Sequence, residues 1–279
     1  MCGIIGFTGR KPAKDILIDG LERLEYRGYD SAGIALLNDD DTLTIRKKAG
    51  RVSELRELCK DGDYSSTCGI GHTRWATHGG VTDANAHPHR CGNVALIHNG
   101  IIENYSDIIR EYGLADKLVS ETDSEVVAAL LDTLYDGDPI AAIRKAVKII
   151  AGSFALCIMF ADRPGIIYAV RNVSPMVAAH SEEGSIIASD LTAIISFSKD
   201  YFVVPEYHIL TMTQEGIRVE DLKGNEVKPQ MLEITWDITA AQKGGFPHFM
   251  LKEIYEQPES LRNTITPRIV NSLPDFTED

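Results

Sequence analysis

The residue around which this chain is organised is its second. The opening reads Met1-Cys2-Gly3-Ile4-Ile5-Gly6-Phe7, a thiol and a glycine leading into a short apolar run of the kind that forms a buried strand. A small side chain behind Met1 favours removal of that methionine, which leaves Cys2 carrying a free α-amino group. The amine has an ordinary pKa of about 7.7–8.0 and the thiol one of about 8.5. A neutral fraction of the amine is therefore present near neutral pH to take the proton from its own thiol, directly or through one water. One residue then supplies nucleophile and base together. Gly3, without a Cβ, leaves room for a substrate to approach the backbone. The plainer alternative is that Cys2 is a small hydrophobe opening a strand, since free cysteine is often buried and inert.

Charge and cysteine usage narrow the setting. With Lys+Arg 28 against Asp+Glu 41 the net charge is −13, which argues against a broad nucleic-acid footprint and leaves room only for a local basic pocket. Cys2, Cys59, Cys68, Cys91 and Cys157 are odd in number and show no CxxC spacing. That pattern fits a reducing cytoplasm better than a disulfide framework. No basic, apolar leader precedes Cys2, and the longest apolar stretch, Ile149 to Ala161, is too short to span a bilayer. A soluble cytoplasmic protein with no membrane partner is expected. A length of 279 residues suits one large domain or two modest ones.

Along the chain, Pro12 opens a helix with Ala13, Ile16, Leu17, Leu21 and Leu24 on one face. Strands are predicted at Ser31–Leu37 and Thr42–Lys48 around Asn38-Asp39-Asp40-Asp41, and a short polar helix near Val52–Lys60. Another buried strand, Asn93–His98, is predicted to end at Asn99-Gly100, a strong turn dipeptide. Helices follow over Tyr105–Tyr112, closed by Gly113, and over Asp123–Tyr135, where Thr122 and Glu125 have capping-box spacing. Asp138-Pro139 caps a third, running to Ile150. Short β-rich runs then fill Gly152 to about Lys228, at spacings that favour antiparallel pairing. Strands at both ends with helices between them indicate layered α+β. Gln242-Lys243-Gly244-Gly245-Phe246-Pro247 reads as a flexible joint, and His248–Pro258 as a short amphipathic helix cut off by proline. Asn271–Asp279 has no core of its own.

A thiolate attacking an amide needs donors for the oxyanion, and Asn99-Gly100 can supply a side-chain and a backbone N–H. One such donor is worth about 3–4 kcal/mol of transition-state stabilisation. A hairpin turn is the commoner meaning of the same dipeptide. Arg74 offers the planar fork that clasps a carboxylate in two places. Asp123 can pair with an ammonium, or serve only as a favourable charge at a helix start. His72, His78, His87, His89 and His98 with Cys91 match no zinc spacing, so no metal is expected. No P-loop, dinucleotide fingerprint or serine elbow is present, and no cofactor is expected.

Six ordered motifs carry a resemblance: Met1-Cys2-Gly3-Ile4-Ile5-Gly6, Leu24-Glu25-Tyr26-Arg27-Gly28-Tyr29-Asp30-Ser31-Ala32-Gly33, Gly71-His72-Thr73-Arg74-Trp75-Ala76-Thr77-His78-Gly79, Asn85-Ala86-His87-Pro88-His89, His98-Asn99-Gly100-Ile101-Ile102-Glu103-Asn104 and Ser120-Glu121-Thr122-Asp123. Together they resemble the glutaminase half of the glutamine–fructose-6-phosphate aminotransferases (isomerizing), the glucosamine-6-phosphate synthases. Lys252-Glu253-Ile254-Tyr255-Glu256-Gln257-Pro258 resembles that family's interdomain connector. The resemblance implies an N-terminal-nucleophile hydrolase fold, a four-layer αββα sandwich with two antiparallel sheets. It implies a glutaminase domain over residues 1–235 and a connector over 236–279, leading toward sugar-isomerase domains that these residues do not include.

For the site, the resemblance implies Cys2 as nucleophile, with Asn99 and Gly100 as oxyanion hole. It implies that Arg74 binds the α-carboxylate of L-glutamine and Asp123 its ammonium, with Thr77, His78 and His87 lining the pocket. Trp75 would sit on a closing loop, and Arg27 beside the nucleophile. Hydrolysis of glutamine to glutamate and ammonia is the expected activity. Fructose 6-phosphate would be met only through the family's other half, in an enzyme expected to be a homo-oligomer. Two further readings stand beside it: the glutaminase of another amidotransferase, such as the one feeding purine synthesis, and a glutamine-sensing module that binds without turnover.

Overall fold

The structure, a computed structural model, describes residues 2–62, 64–235, 245–246, 248–270 and 273–274. Contacts divide the chain into two units, Met1–Thr235 and Trp236–Asp279.

Among the described residues the first unit holds two antiparallel sheets. One is built from β1 (Gly3–Gly9), β2 (Ser31–Leu37), β3 (Leu43–Ala49), β4 (Cys68–Arg74), β9 (Val177–Ser181), β10 (Gly184–Ala188), β11 (Asp200–Val203) and β14 (Leu232–Glu233), in the order β14-β11-β9-β10-β1-β4-β2-β3. The other contains β5 (His89–Cys91), β6 (Val94–Ile102), β7 (Gly152–Phe160), β8 (Ile167–Asn172), β12 (His208–Thr213) and β13 (Gly216–Asp221), in the order β13-β12-β8-β7-β6-β5. The helices are α1 (Ala13–Leu24), α2 (Val52–Leu58), α3 (Tyr105–Tyr112), α4 (Asp123–Leu134), α5 (Pro139–Ile149) and α6 (Leu191–Ile194).

Side-chain alternation explains the layering. Along β1, Ile4 joins a buried cluster with Ile70, Ala95, Ile97, Cys157 and Ala169, which is the filling between the sheets. Ile5 and Phe7 point the other way, into a cluster with Leu17, Leu21 and Leu24 of α1. Along β6, Ala95 and Ile97 face the other sheet, while Val94 and Leu96 meet Val127, Leu130 and Ile143 of α4 and α5. Both faces of each sheet are therefore covered, which is why the central strands read as continuous apolar runs rather than alternating ones. The result is the α+β arrangement of helix, sheet, sheet and helix layers.

Several elements lie where the sequence puts them. Pro12 stands at the start of α1, Gly113 closes α3 in the left-handed conformation, and Asp138 Oδ1 accepts from the N–H of Ala141 at 3.0 Å. Three short elements carried no signal strong enough to read: β5, α6 and β14. Other expectations need correction. Asn99-Gly100 is no turn, because β6 runs through it to Ile102, with Asn99 opposite Ala155 and Gly100 opposite Phe154. At Gly100, φ is +135°, and a Cβ there would lie 2.0 Å from the carbonyl oxygen of Ser153. Glycine is needed for an irregular step inside a strand, not for a chain reversal. The capping box is also half-made. Thr122 accepts from the N–H of Glu125, but the Glu125 carboxylate reaches back to the N–H groups of Val119 at 3.0 Å and Ser120 at 2.6 Å.

In the second unit, α7 (Phe249–Ile265) continues through Pro258 instead of stopping there. The proline removes one N–H, yet the carbonyl it would have served belongs to Ile254, a residue 52% exposed, where water can take the bond. Ile269–Val270 and Leu273–Pro274 pair as a short antiparallel ladder. Most of the expected joint at 242–247 lies outside the described residues, as does most of Asn271–Asp279. Among the described residues no helix is long and apolar enough to cross a membrane.

Candidate active site

Register brings the site together. In β1 and β4, Gly3 pairs with Thr73 and Ile4 with His72. One step further, Cys2 comes level with Arg74, and the next residue, Trp75, donates its N–H to Cys2 Sγ at 3.2 Å. From the facing sheet, the side-chain amide of Asn99 donates from Nδ2 to the carbonyl oxygen of Cys2 at 3.1 Å. The same alternation that fills the space between the sheets explains both partners. Cys68 and Ile70 in β4 and Ala95 and Ile97 in β6 fill the space between the sheets, and two residues further along each strand the apolar series gives way to His72 and Asn99. The inter-sheet core thus ends in a polar rung beside the half-buried Cys2.

The pocket over this rung is lined by Cys2, Arg74, Trp75, Thr77, His78, His87, His98, Gly100, Thr122, Asp123 and Ser124. It gathers the residues that the sequence singled out around Cys2. Asn99 reaches Cys2 from beneath. Arg27 stands behind it, with Nε 3.3 Å from the Cys2 carbonyl oxygen and Nη1 paired to Asp190 at 3.1 Å. Gly3 does not face the pocket: a Cβ there would meet Thr73 Oγ1 at 2.6 Å and Leu24 Cβ at 2.8 Å. Its role is close packing of β1 on its neighbours, not room for substrate.

Arg74 is buried, and much of its fork is engaged. Nη1 donates to Gly80 O at 3.0 Å, and Nη2 to the carbonyls of His78 and of Gly79, the latter at 3.3 Å. Glu121 and Asn85 tie down the same loop, with Gly80 N–H on Glu121 Oε2 at 3.2 Å and Asn85 Nδ2 on Gly80 O at 3.0 Å. Asp30 accepts from the N–H of Ala76. Trp75 itself is 56% exposed. Asp123 is buried at the start of α4; Oδ2 accepts from Ile102 N–H at 2.8 Å, and Oδ1 lies 3.3 Å from Ser124 Oγ, which contacts His98 Nδ1 at 2.8 Å. Ser124, Thr122 and His98 are pocket residues that sequence reasoning passed over. Position 98 carried one usable signal: it lies two residues before Gly100, on the same face of β6.

Electrostatics follow from this burial. Burial pushes the Cys2 thiol up, against the lowering contact from Trp75 N–H. A thiol so placed stays protonated near neutral pH and needs a base to become a nucleophile. Burial holds His72 down to about 3 and keeps His87, His89 and His98 below the ordinary imidazole range. These rings are packed together, His72 stacked on His87 at 4.1 Å between centroids and His87 edge-on to His89 at 4.5 Å.

The consequence for stability has a definite sign. The folded value for His72 lies below the unfolded value of about 6.5, so between these pH values the unfolded chain binds a proton that the native one refuses. Stability is full above pH 6.5 and falls with acid, by about 1.4 kcal/mol per pH unit for His72 alone, the other three acting in the same direction. Denaturant midpoints measured at pH 7.5 and 5.5 are expected to drop on acidification. A midpoint unchanged over that interval would contradict neutral buried imidazoles. Among the described residues no three His, Cys, Asp or Glu are placed to hold a metal ion.

Residues 72–196 match the family described as glutamine amidotransferase domain. The chain is 43% identical over 284 residues to the glutamine–fructose-6-phosphate aminotransferase (isomerizing) of Clostridium acetobutylicum, covering 100% of this chain and 46% of that protein. With the Thermus thermophilus protein of the same name it is 44% identical over 272 residues, covering 96% and 45%. The chain thus spans about half the length of the curated relatives it matches. Among solved structures, the glutamine phosphoribosylpyrophosphate amidotransferase of B. subtilis shares the fold, with a TM-score of 0.68 at 24% identity over 81% of this chain and 50% of that one. Residues 72–196 thus carry a glutamine amidotransferase domain, in a chain that has the N-terminal-nucleophile fold and is similar along its whole length to the N-terminal half of the glutamine–fructose-6-phosphate aminotransferases.

Proposed function

We propose that the chain hydrolyses L-glutamine to glutamate and ammonia through a thioester on Cys2. With Met1 removed, the α-amine of Cys2 takes the thiol proton as Sγ attacks the side-chain carbonyl of glutamine. The oxyanion is held by Asn99 Nδ2 and the N–H of Gly100. The proton then passes to the leaving nitrogen, ammonia departs, and water attacks the thioester to free glutamate and return the thiol. Arg74 receives the α-carboxylate and Asp123 the α-ammonium, Thr77, His78 and His87 shape the pocket, and Arg27 steadies the Cys2 backbone. Trp75, exposed on the loop above Sγ, covers the bound substrate. In the longer relatives, we place the use of ammonia on fructose 6-phosphate in the half that this chain does not span. Residues 1–235 form the glutaminase domain in this reading, and 236–279 the connector.

One observation carries the proposal. Asn99 Nδ2 lies 3.1 Å from the Cys2 carbonyl oxygen and Trp75 N–H lies 3.2 Å from Sγ, so the thiol and an amide donor share one spot. A primary amide has two N–H groups; one is on Cys2, and the second is left for the substrate. The chain is expected to release glutamate and ammonia in equal amounts from glutamine, at a rate that fructose 6-phosphate leaves unchanged. Glutamine binding with no turnover by the Met1-free chain would favour the sensing module instead.

A further inference from the structure

Asn99 can serve an oxyanion only if its amide presents nitrogen, not oxygen, toward Cys2. The two ends of a carboxamide have nearly the same shape, so packing alone does not choose between them. The Cys2 carbonyl oxygen, accepting from Nδ2 at 3.1 Å, favours one choice from the outer side, and His72 fixes it from the inner side. Its Nε2 lies 3.0 Å from Asn99 Oδ1 and also 3.0 Å from the carbonyl oxygen of His98. The His98 oxygen is a backbone acceptor and nothing else, so Nε2 must carry the hydrogen. A hydrogen on Nε2 in turn demands an acceptor at Asn99, which turns Oδ1 inward and Nδ2 outward. With the amide reversed, Nε2 would have to present a lone pair to the amide, and that lone pair would also face the His98 oxygen in a site closed to water. We propose that His72 is a positioning residue: its Nε2–H holds the carboxamide of Asn99 in the one orientation that aims Nδ2 at the reacting centre.

The surroundings fit this task. His72 is 1% exposed, its ring is stacked against His87, and His87 Nδ1 in turn accepts from the N–H of His98 at 3.2 Å. The ring cannot swing away, and its Nε2 is a donor whether the imidazole is neutral or charged. The pair joins β4 of one sheet to β6 of the other, so the two sheets are keyed together at the point where the oxyanion forms. A ring that only filled space would act equally well without a donor.

The proposal rests on the reading of Asn99 as an oxyanion donor, and the test separates the two. In the 279-residue chain, His72→Phe keeps the ring and loses the donor, whereas His72→Gln keeps an N–H. His72→Phe is expected to lower kcat by about tenfold or more with KM within about twofold, since only the transition state uses the aimed N–H. His72→Gln is expected to recover most of kcat. In an Asn99→Ala background, His72→Phe is expected to change kcat no further, because there is no amide left to orient. Each rate is normalised to the fraction of chains whose Cys2 is labelled by a glutamine-like diazo-ketone, so loss of folded protein does not count as loss of rate. An equal fall in both backgrounds, or a His72→Gln rate as low as that of His72→Phe, overturns the positioning role. An Asn99→Ala chain with full kcat overturns the oxyanion reading itself.

Discussion

Replacing Cys2 by alanine is expected to reduce glutamine hydrolysis to background and to abolish covalent labelling by a glutamine-like diazo-ketone. The structure leaves no second thiol to take over. Cys68 and Cys157 are buried, with burial pushing the Cys68 thiol up to about 12 and that of Cys157 higher still. Cys59 is buried and its thiol is also raised. Cys91 lies beside Asp132, whose charge adds to burial in keeping it a thiol. None of these lines the pocket that holds Arg74 and Asp123. Loss of an activated nucleophile costs on the order of a millionfold in hydrolases that form acyl intermediates.

A second arm concerns the base. A chain that keeps Met1 has an amide nitrogen in place of the amine, and an amide nitrogen takes no proton. Intact mass should therefore divide preparations into an active form lacking Met1 and an inactive form retaining it. Full hydrolysis by Cys2→Ala, or by chains shown to keep Met1, is the result that removes this mechanism.

Much of the site could be read from the sequence because its parts are short-range. Trp75 follows Arg74 directly, Gly100 follows Asn99, and Asp123 sits where any helix start would favour a carboxylate. The inter-sheet alternation was legible too, once β6 was allowed to run on. Treating Asn99-Gly100 as a turn cut the strand at His98 and hid the fact that Asn99 shares a face with Ala95 and Ile97. Local chemistry favoured the turn; pairing with Ala155 and Phe154 along β7 outweighed it. Other features are long-range and leave no local trace. The engagement of Arg74 with His78–Gly80 depends on a loop folding back over its own strand. The contact between His72 and Asn99 joins two sheets, and no spacing within either strand announces it. Pro258 misled for a related reason: the carbonyl it leaves without a partner belongs to Ile254, a half-exposed residue where water can take the bond, and the helix runs on.

The remaining large effect separates the chemical step from binding. Asn99→Ala is expected to lower kcat by about 10²–10³ with little change in KM, the loss typical of removing one oxyanion donor. The ground-state carbonyl of glutamine asks less of that N–H than the developing oxyanion does, so the deficit falls on the transition state. Asp123 should behave in the opposite way, but alanine is the wrong probe for it. Its Oδ2 accepts from Ile102 N–H at 2.8 Å in a site only 5% exposed, and truncation would strand that buried donor at a cost of about 1–3 kcal/mol. Asp123→Asn keeps an oxygen for Ile102 and removes the charge, at the expense of the long contact to Ser124 Oγ. It is expected to raise KM for glutamine by roughly tenfold or more while kcat stays within about threefold, because an ammonium held by Asp123 is held equally before and during reaction. A glutamine analogue lacking the α-amino group sharpens the comparison. It should bind poorly to the native chain, and Asp123→Asn should weaken it no further, whereas Asn99→Ala should slow its turnover as much as that of glutamine. Should both variants show one kinetic pattern, with kcat and KM moving together, the division of labour between oxyanion donor and ammonium partner is wrong.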